Sequence, residues 1–595
     1  MEHFAASTLI RELDQERAEG DDSSPEPDPE APELHPQAPE RRPRRRKVFS
    51  EGRIVFVICF AAYITVGFLL DFHYGSFNGD AVARMANAFY ILYSRDRHMA
   101  AVGFVWNPGT SIADFVPLLF YKLWTPLASH MFAASLVSAS CMAGAVYQLR
   151  CTLAEWGVAR MPRLVLVAIF ALNAMIIYYG GDGMSEGLYL FTLIATSRYL
   201  LRWLRHDDLH SLVYAASALG LCYLARNEAV APAVFAGALV FGVSYVRSSA
   251  VGFRRAWSGM ADLVIFEIPF FFAFIGWAIV SYVITGSPFQ QFTSVYGTAS
   301  QLAVSGNVPV TLKGRILQDV HDVFYLAPAI PLIVIVALVL AWRRRDIGIL
   351  APITVVGGGL AFSLAAYVDN KIDHWFRYFI TAVPLEVILV GSFFATVPAL
   401  VRLRTTTPAA RPKGAWLGAS IAVLMSLLLL LPSSITTIMG MANPKVGFEE
   451  REHLGYIFSN HPTSSEASSS KSFPDVLKIA NYFAAKHLPN GQVIVDNFSG
   501  CIPNVILASP NPAVWVIPND RSFQRTLADP LVFHAHYILD VDPIGNGRLT
   551  APNISYPNLW SNGGGFAKVI HTFPAAGECP ELRLFKVFGH PRLGV

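Results

Sequence analysis

Apolar stretches long enough to cross a bilayer recur through the first three quarters of the chain, separated by short polar connections. At about 20 residues per span they fall at 53–72, 128–149, 164–180, 185–203, 209–225, 229–246, 260–285, 323–342, 347–368, 377–399 and 415–438. The pattern predicts a polytopic α-helical membrane protein of about eleven transmembrane helices. The stretch SIADFVPLLFYKLW at 111–124 is apolar but too short, and counting it as a span would invert everything after it. It reads better as an interfacial or re-entrant helix. From about residue 440 the pattern changes. FPDVLKIANYFAAKH reads as an amphipathic helix, and QVIVD, AVWVI, HYILDV, AKVIHTF and LRLFKVF read as short strands. Residues 53–439 are therefore expected to form a transmembrane domain and residues 440–595 a soluble α/β domain.

Basic residues give the orientation, because Lys and Arg in short loops stay cytoplasmic. RRPRRRK at 41–47, Arg150 with Arg160 and Arg163, Arg202 with Arg205, Arg247 with Arg254 and Arg255, Arg343 to Arg345, and Arg402 with Arg404 and Arg411 all fall on one side of this topology. The amino terminus is then cytoplasmic. The loop around Asp80, the loop at 286–321, the DNKIDHWFR turn and the carboxyl-terminal domain lie outside. Residues 1–52, rich in Pro, Glu and Asp before turning basic, read as a disordered cytoplasmic tail with a membrane-surface anchor. No small-residue cleavage site follows the basic run, so the first span is expected to be a signal anchor. A bacterial cytoplasmic (inner) membrane is the most economical setting, and an endoplasmic-reticulum membrane has the same geometry.

Composition agrees: 53% of the 595 residues are hydrophobic and 15% charged, with a mean hydropathy of +0.41. A soluble class is excluded. The net charge of +3 is small and its basic residues are dispersed among loops, which argues against nucleic acid as a partner. The six cysteines show no C-x-x-C spacing. Cys501 and Cys579 share the polar carboxyl-terminal region, where an oxidising compartment would let them pair.

The candidate chemistry sits in the outer connections. Asp80 opens a helix, with Arg84 and Asn87 at i+4 and i+7 on the same face. An ionisable group at membrane depth costs roughly 2.5 to 3.5 kcal/mol, so it is a functional candidate by default. Further along come Asn107 in FVWNPG, Asp182 and Glu186 in YYGGDGMSEGLYLF, Arg226 and Glu228 in ARNEAVAP, and Lys371, His374 and Arg377 in DNKIDHWFRYFI. Each alone reads equally well as a loop charge, a capped helix or a turn. Together, at one membrane depth, they point to a shared cavity. Cations there suit a phosphate-bearing lipid, and a carboxylate suits removal of a hydroxyl proton.

The ordered set NGDAVARMANAF, WNPG, GGDGMSEGLYLF, LARNEA and HWFRYFITAVP resembles the GT-C superfamily of polytopic glycosyltransferases, which use polyprenyl-phosphate-linked sugars on the non-cytoplasmic face. The resemblance implies a membrane glycosyltransferase of cell-envelope glycan biosynthesis. Its donor would be a polyprenyl-phosphate sugar and its acceptor a glycan, lipid or protein. Asp80 is implied as the base that deprotonates the acceptor hydroxyl, oriented by Arg84. Arg377, supported by His374 and Lys371, would bind donor phosphate, with Arg226 a second candidate. Glu186 and Glu228 would hold sugar hydroxyls or position Arg226, and Asn107 would line the substrate site. Where many members carry an acidic pair, this chain has a single Asp after Gly79. That favours a site with no metal and no cofactor, a divalent cation remaining the alternative. The carboxyl-terminal domain is similar to accessory domains that help hold acceptor. Two readings from other classes compete: a lipid or sugar transporter or flippase, against which no inverted repeat is evident and the charges gather at the outer surface, and a non-catalytic scaffold binding cell-wall glycan through residues 440–595.

Overall fold

The computed structural model describes residues 51–297, 299–300, 302, 311–395, 415–458, 468–498, 500–577 and 579–591. The expected disordered tail, apart from its last two residues, and the basic loop at 402–411 lie outside the described residues.

The chain is predominantly helical and is an integral membrane protein. Among the described residues, seven helices are long and apolar enough to cross a bilayer, or nine if each of two bent pairs counts as one span. The predicted count of eleven is not reached on length and composition. The stretch expected at 185–203 is the Glu186–His206 helix, which carries several charges, and that at 209–225 is a helix of only 17 residues, Leu209–Ala225. The bends have local causes. Arg160–Ala171 and Ala174–Gly181 meet at 60°, where the Asn173 side chain accepts the Met175 N–H and starts a new helix. Leu312–Leu326 and Ile330–Arg344 meet at 75°, where Pro328 interrupts the run and Pro331 occupies the first turn of the second helix. The stretch at 111–124 forms a helix of ten residues, Gly109–Leu118, too short to span.

Small residues bring the site-bearing helices together. Gly67 of the first span lies against Gly181, and a Cβ at Gly67 would come within 2.7 Å of the Gly181 carbonyl. The first span then ends in a π-helical turn, Leu69–Tyr74, closed by Gly75 at φ 59°. That left-handed residue turns the chain into the next helix, Gly79–Tyr93.

Beyond the last span, five strands form one sheet in the order β2-β1-β3-β5-β4: β1 (Val493–Val495), β2 (Trp515–Val516), β3 (Tyr537–Val541), β4 (Ala567–Phe573) and β5 (Leu582–Val587). β2, β1 and β3 run parallel, while β5 pairs antiparallel with β3 and β4. All five fall on the stretches read as strands from sequence. Cys501 and Cys579 form a disulfide that ties the start of the Ile502–Ala508 helix to the segment before β5. One continuous apolar core joins Ala81, Met85 and Phe89 of the Gly79–Tyr93 helix to Val505 and Trp515 of the sheet region.

Candidate active site

The Gly79–Tyr93 helix owes its start to Asn78, whose side-chain oxygen accepts the Asp80 N–H at 3.1 Å. Its inner face buries Ala81, Val82, Met85, Ala86, Ala88 and Phe89, the spacing of a helix stripe. Asp80 is left at the edge of that stripe with its side chain 25% exposed.

Three arginines and four carboxylates form a chain of ion pairs. Arg377 Nη2 donates to Asp80 Oδ2 at 2.7 Å, and its Nε lies 3.2 Å from Glu449 Oε2 and 3.9 Å from Glu186 Oε1. Arg226 pairs with Glu186 and, at 2.5 Å, with Glu228. Arg84 Nη2 stands 3.7 Å from Asp80 Oδ2, and its guanidinium lies 4.4 Å from the centre of the Trp106 ring. Arg377 is only 2% exposed. Charges this buried are tolerated because each guanidinium meets carboxylates and an aromatic face: Trp375 and Tyr378 for Arg377, Tyr189 and Tyr378 for Arg226.

The protonation pattern follows from the surroundings. Burial pushes the Asp80 carboxyl up, but Arg377 and Arg84 outweigh it and hold the group below the usual aspartate value. Asp80 is therefore an anion at neutral pH. Burial pushes Glu449 up to about 7 against the pull of Arg377. His453, next along the same helix face, is lowered to about 4 by burial and by Arg377.

Two cavities flank this chain of charges. One, of about 870 Å³, is lined by Asp80, Arg377 and Glu449 on the membrane side and by loops and a helix of the sheet region on the other, including Asn497, Asn504 and Asn519. The second, of about 1240 Å³, is lined by Arg84, Arg226, Glu228 and Lys371 and by apolar residues such as Phe235, Ala361 and Phe362. Val105 and Trp106 line both, forming the partition between them.

The residues singled out from sequence divide accordingly. Asp80, Arg84, Glu186, Arg226, Glu228 and Arg377 share the ion-pair chain. Lys371 reaches the second cavity but is 71% exposed, with Asp369 at 3.9 Å. Asn107 is buried at the rim of that cavity and donates through Nδ2 to the Tyr223 carbonyl at 2.5 Å, which fixes the partition against the end of the Leu209–Ala225 helix. His374 is drawn elsewhere: its Nε2 lies 2.8 Å from Asp322 Oδ2 and 3.0 Å from Gln318. Asp182 ends the Ala174–Gly181 helix and turns back on the chain, its carboxylate accepting the Met184 N–H. Sequence reasoning missed Glu449. It is held by Asn78 Nδ2 at 2.6 Å, so one asparagine caps the Asp80 helix and grips the second carboxylate. Its sequence mark is FEEREH, an acidic pair directly after the last apolar span.

Among the described residues no three His, Cys, Asp or Glu side chains converge as metal ligands. The carboxylates of Asp80 and Glu449 meet arginines.

No protein-family description matches the chain, and no curated protein matches it. Solved structures with a similar chain trace include ArnT from Cupriavidus metallidurans bound to undecaprenyl phosphate, at 12% identity, covering 91% of this chain and 99% of that one, with a TM-score of 0.47. Another is the archaeal oligosaccharyltransferase AglB from Archaeoglobus fulgidus in complex with an inhibitory peptide and a dolichol-phosphate, at 10% identity over 82% and 69% of the two chains, TM-score 0.39. A third is the arabinofuranosyltransferase AftD from mycobacteria, at 14% identity over 91% of this chain and 42% of that one, TM-score 0.36.

Proposed function

We propose that this chain is a GT-C-type membrane glycosyltransferase that moves a sugar from a polyprenyl-phosphate donor to an acceptor hydroxyl on the extracytoplasmic face. The observation that carries the reading is the meeting of two unlike cavities at Asp80, Arg84, Arg377 and Trp106. The second cavity joins an apolar wall to three cations, which suits an isoprenyl chain ending in a phosphate. The first offers an ionised carboxylate to whatever enters from outside.

In the proposed reaction the donor lies in the second cavity with its phosphate oxygens on Arg84, Arg226 and Lys371. Asp80 takes the proton from the acceptor hydroxyl as that oxygen attacks the anomeric carbon. The bond from that carbon to the phosphate oxygen breaks, its electron pair stays with the lipid phosphate, and the configuration inverts. Arg84 and Arg226 stabilise the charge that develops on the leaving group. Arg377, between Asp80 and Glu449, positions the base.

Two features support the outward orientation. The Cys501–Cys579 disulfide suits an oxidising compartment for the sheet region, and the arginine-rich short loops gather on the opposite side. The test is transfer of radiolabelled sugar from a panel of polyprenyl-phosphate sugars by the purified full-length protein, with a membrane extract as acceptor source. A new glycosidic product with one donor is the expected result. Folded protein that makes no product with any donor, or that carries substrate across vesicles unchanged, contradicts the proposal and favours a transporter.

A further inference from the structure

We infer that the cavity in front of Asp80 is an acceptor site built for an uncharged oligosaccharide, with the sheet region supplying its far wall. The inference rests on the transfer reaction proposed above and names the acceptor class for it.

Among the described residues lining this cavity, two arginines face four carboxylates, Asp80, Glu449, Glu452 and Asp520. Arg377 pairs with Asp80 and Glu449, Arg521 pairs with Asp96 at 2.6 Å, and Asp520 is itself held by Arg95 at 3.0 Å. A phosphorylated lipid headgroup entering here would meet a surplus of like charge.

The cavity is also lined by side-chain amides. Asn87 lies seven residues beyond Asp80 on the same helix, about 10 Å along its axis. Across from it, Asn519 Nδ2 donates to the Ala101 carbonyl at 2.8 Å and lies 3.4 Å from Asn87 Oδ1, while Asn497 Nδ2 donates to Asn519 Oδ1 at 2.9 Å. Asn504 lines the same wall from the Ile502–Ala508 helix. An amide presents donor and acceptor side by side, the complement of a hydroxyl that does both. Phe498 and Trp375 add flat apolar faces.

A cavity of about 870 Å³ is at the upper end of small-molecule sites, and its amides extend well away from Asp80, so more than the reacting sugar is held. A peptide acceptor would be expected to borrow a sheet edge. The edge strands β2 and β4 line no part of this cavity, whose far wall is made of loops and the Ile502–Ala508 helix.

The test uses full-length protein in lipid nanodiscs and saturation-transfer NMR. The probes are neutral oligosaccharides of glucose, mannose, galactose and arabinose, a diphosphorylated disaccharide headgroup, and a Ser/Thr-containing peptide. At least one neutral oligosaccharide should bind, and the headgroup and peptide should not. Asn87→Ala and Asn504→Ala should each weaken that binding about three- to tenfold, as one lost hydrogen bond does. Asn504→Ser, with unchanged melting, serves as the check on folding. Binding of the phosphorylated headgroup or the peptide that is lost in the asparagine variants overturns the inference. So does the failure of every neutral oligosaccharide, or binding indifferent to both asparagines. If Asp80→Asn still transfers sugar at the wild-type rate, the proposed reaction fails, and the binding result reports on the acceptor class separately.

Discussion

The two cavities share Val105 and Trp106 yet differ in almost everything that decides what they hold. Among the described lining residues, the membrane-side cavity sets three cations, Arg84, Arg226 and Lys371, against Glu228 and Asp369 and adds an apolar wall. The outer cavity sets two arginines against four carboxylates and adds asparagines. A partition one tryptophan thick thus separates a place suited to lipid phosphate from one suited to hydroxyls. The difference teaches that a carboxylate can stay ionised beside a cation-lined cavity when arginines pair with it. Arg377 pairs with Asp80 and Glu449, Arg84 reaches Asp80 from the lining of the membrane-side cavity, and Arg226 pairs with Glu186 and Glu228.

Removing Arg226 should have the largest effect. Arg226→Ala leaves Glu186, fully buried, with only the Arg377 guanidinium at 3.9 Å; breaking a buried pair costs about 3–5 kcal/mol. Thermal unfolding should show a large drop, and donor binding should be lost while binding in the outer cavity persists in whatever protein stays folded.

Breaking the disulfide should act on the outer cavity alone, because Cys501 lines that cavity and not the other. Cys501→Ser with Cys579→Ser removes a bridge spanning 78 residues, a loss of about 2–4 kcal/mol. Protease nicking within 490–590 should rise, and donor binding should stay as it was.

Glu449 sharpens the comparison through pH. Its carboxyl is raised in the folded protein, by burial first, to about 7, whereas an unfolded glutamate titrates near ~4.3. The folded state therefore holds a proton that the unfolded chain has released, and stability falls as pH rises through that window. Glu449→Gln should remove part of that slope in melting temperature between those pH values. An unchanged slope would show that Glu449 is ionised at the site.

The smallest effect is expected at Lys371, which is mostly exposed. Lys371→Ala should raise KM for the donor by about two- to fivefold, as loss of an exposed charge does, with kcat unchanged and the difference shrinking at high salt. A collapse of kcat would place this lysine among the groups that stabilise the leaving phosphate.

Much of the architecture was legible because it rests on local pattern. Apolar runs mark the helices, alternation marks the five strands, and the i, i+4 spacing puts Asp80 and Arg84 on one helix face. The bends at Asn173 and Pro328 were not legible as bends, since the apolar runs continue through them. Which charges meet was only partly legible. Arg377 and Asp80 are 297 residues apart, and nothing in either motif names the other. His374 stands three residues before Arg377 but is captured by Asp322, a carboxylate hidden at the start of an apolar run. Glu449 escaped notice because charges just past a final span ordinarily mark the return to water; here the Phe448–Phe458 helix folds back so that Asn78 and Arg377 take that carboxylate.

The central claim is that Asp80 serves the acceptor and not the donor. It is tested most directly by measuring donor binding and sugar transfer on the same preparations of wild-type and Asp80→Asn protein. The account predicts equal donor affinity and a loss of transfer of about 10²- to 10⁴-fold. Wild-type turnover by Asp80→Asn, or a loss explained wholly by weaker donor binding, would contradict it.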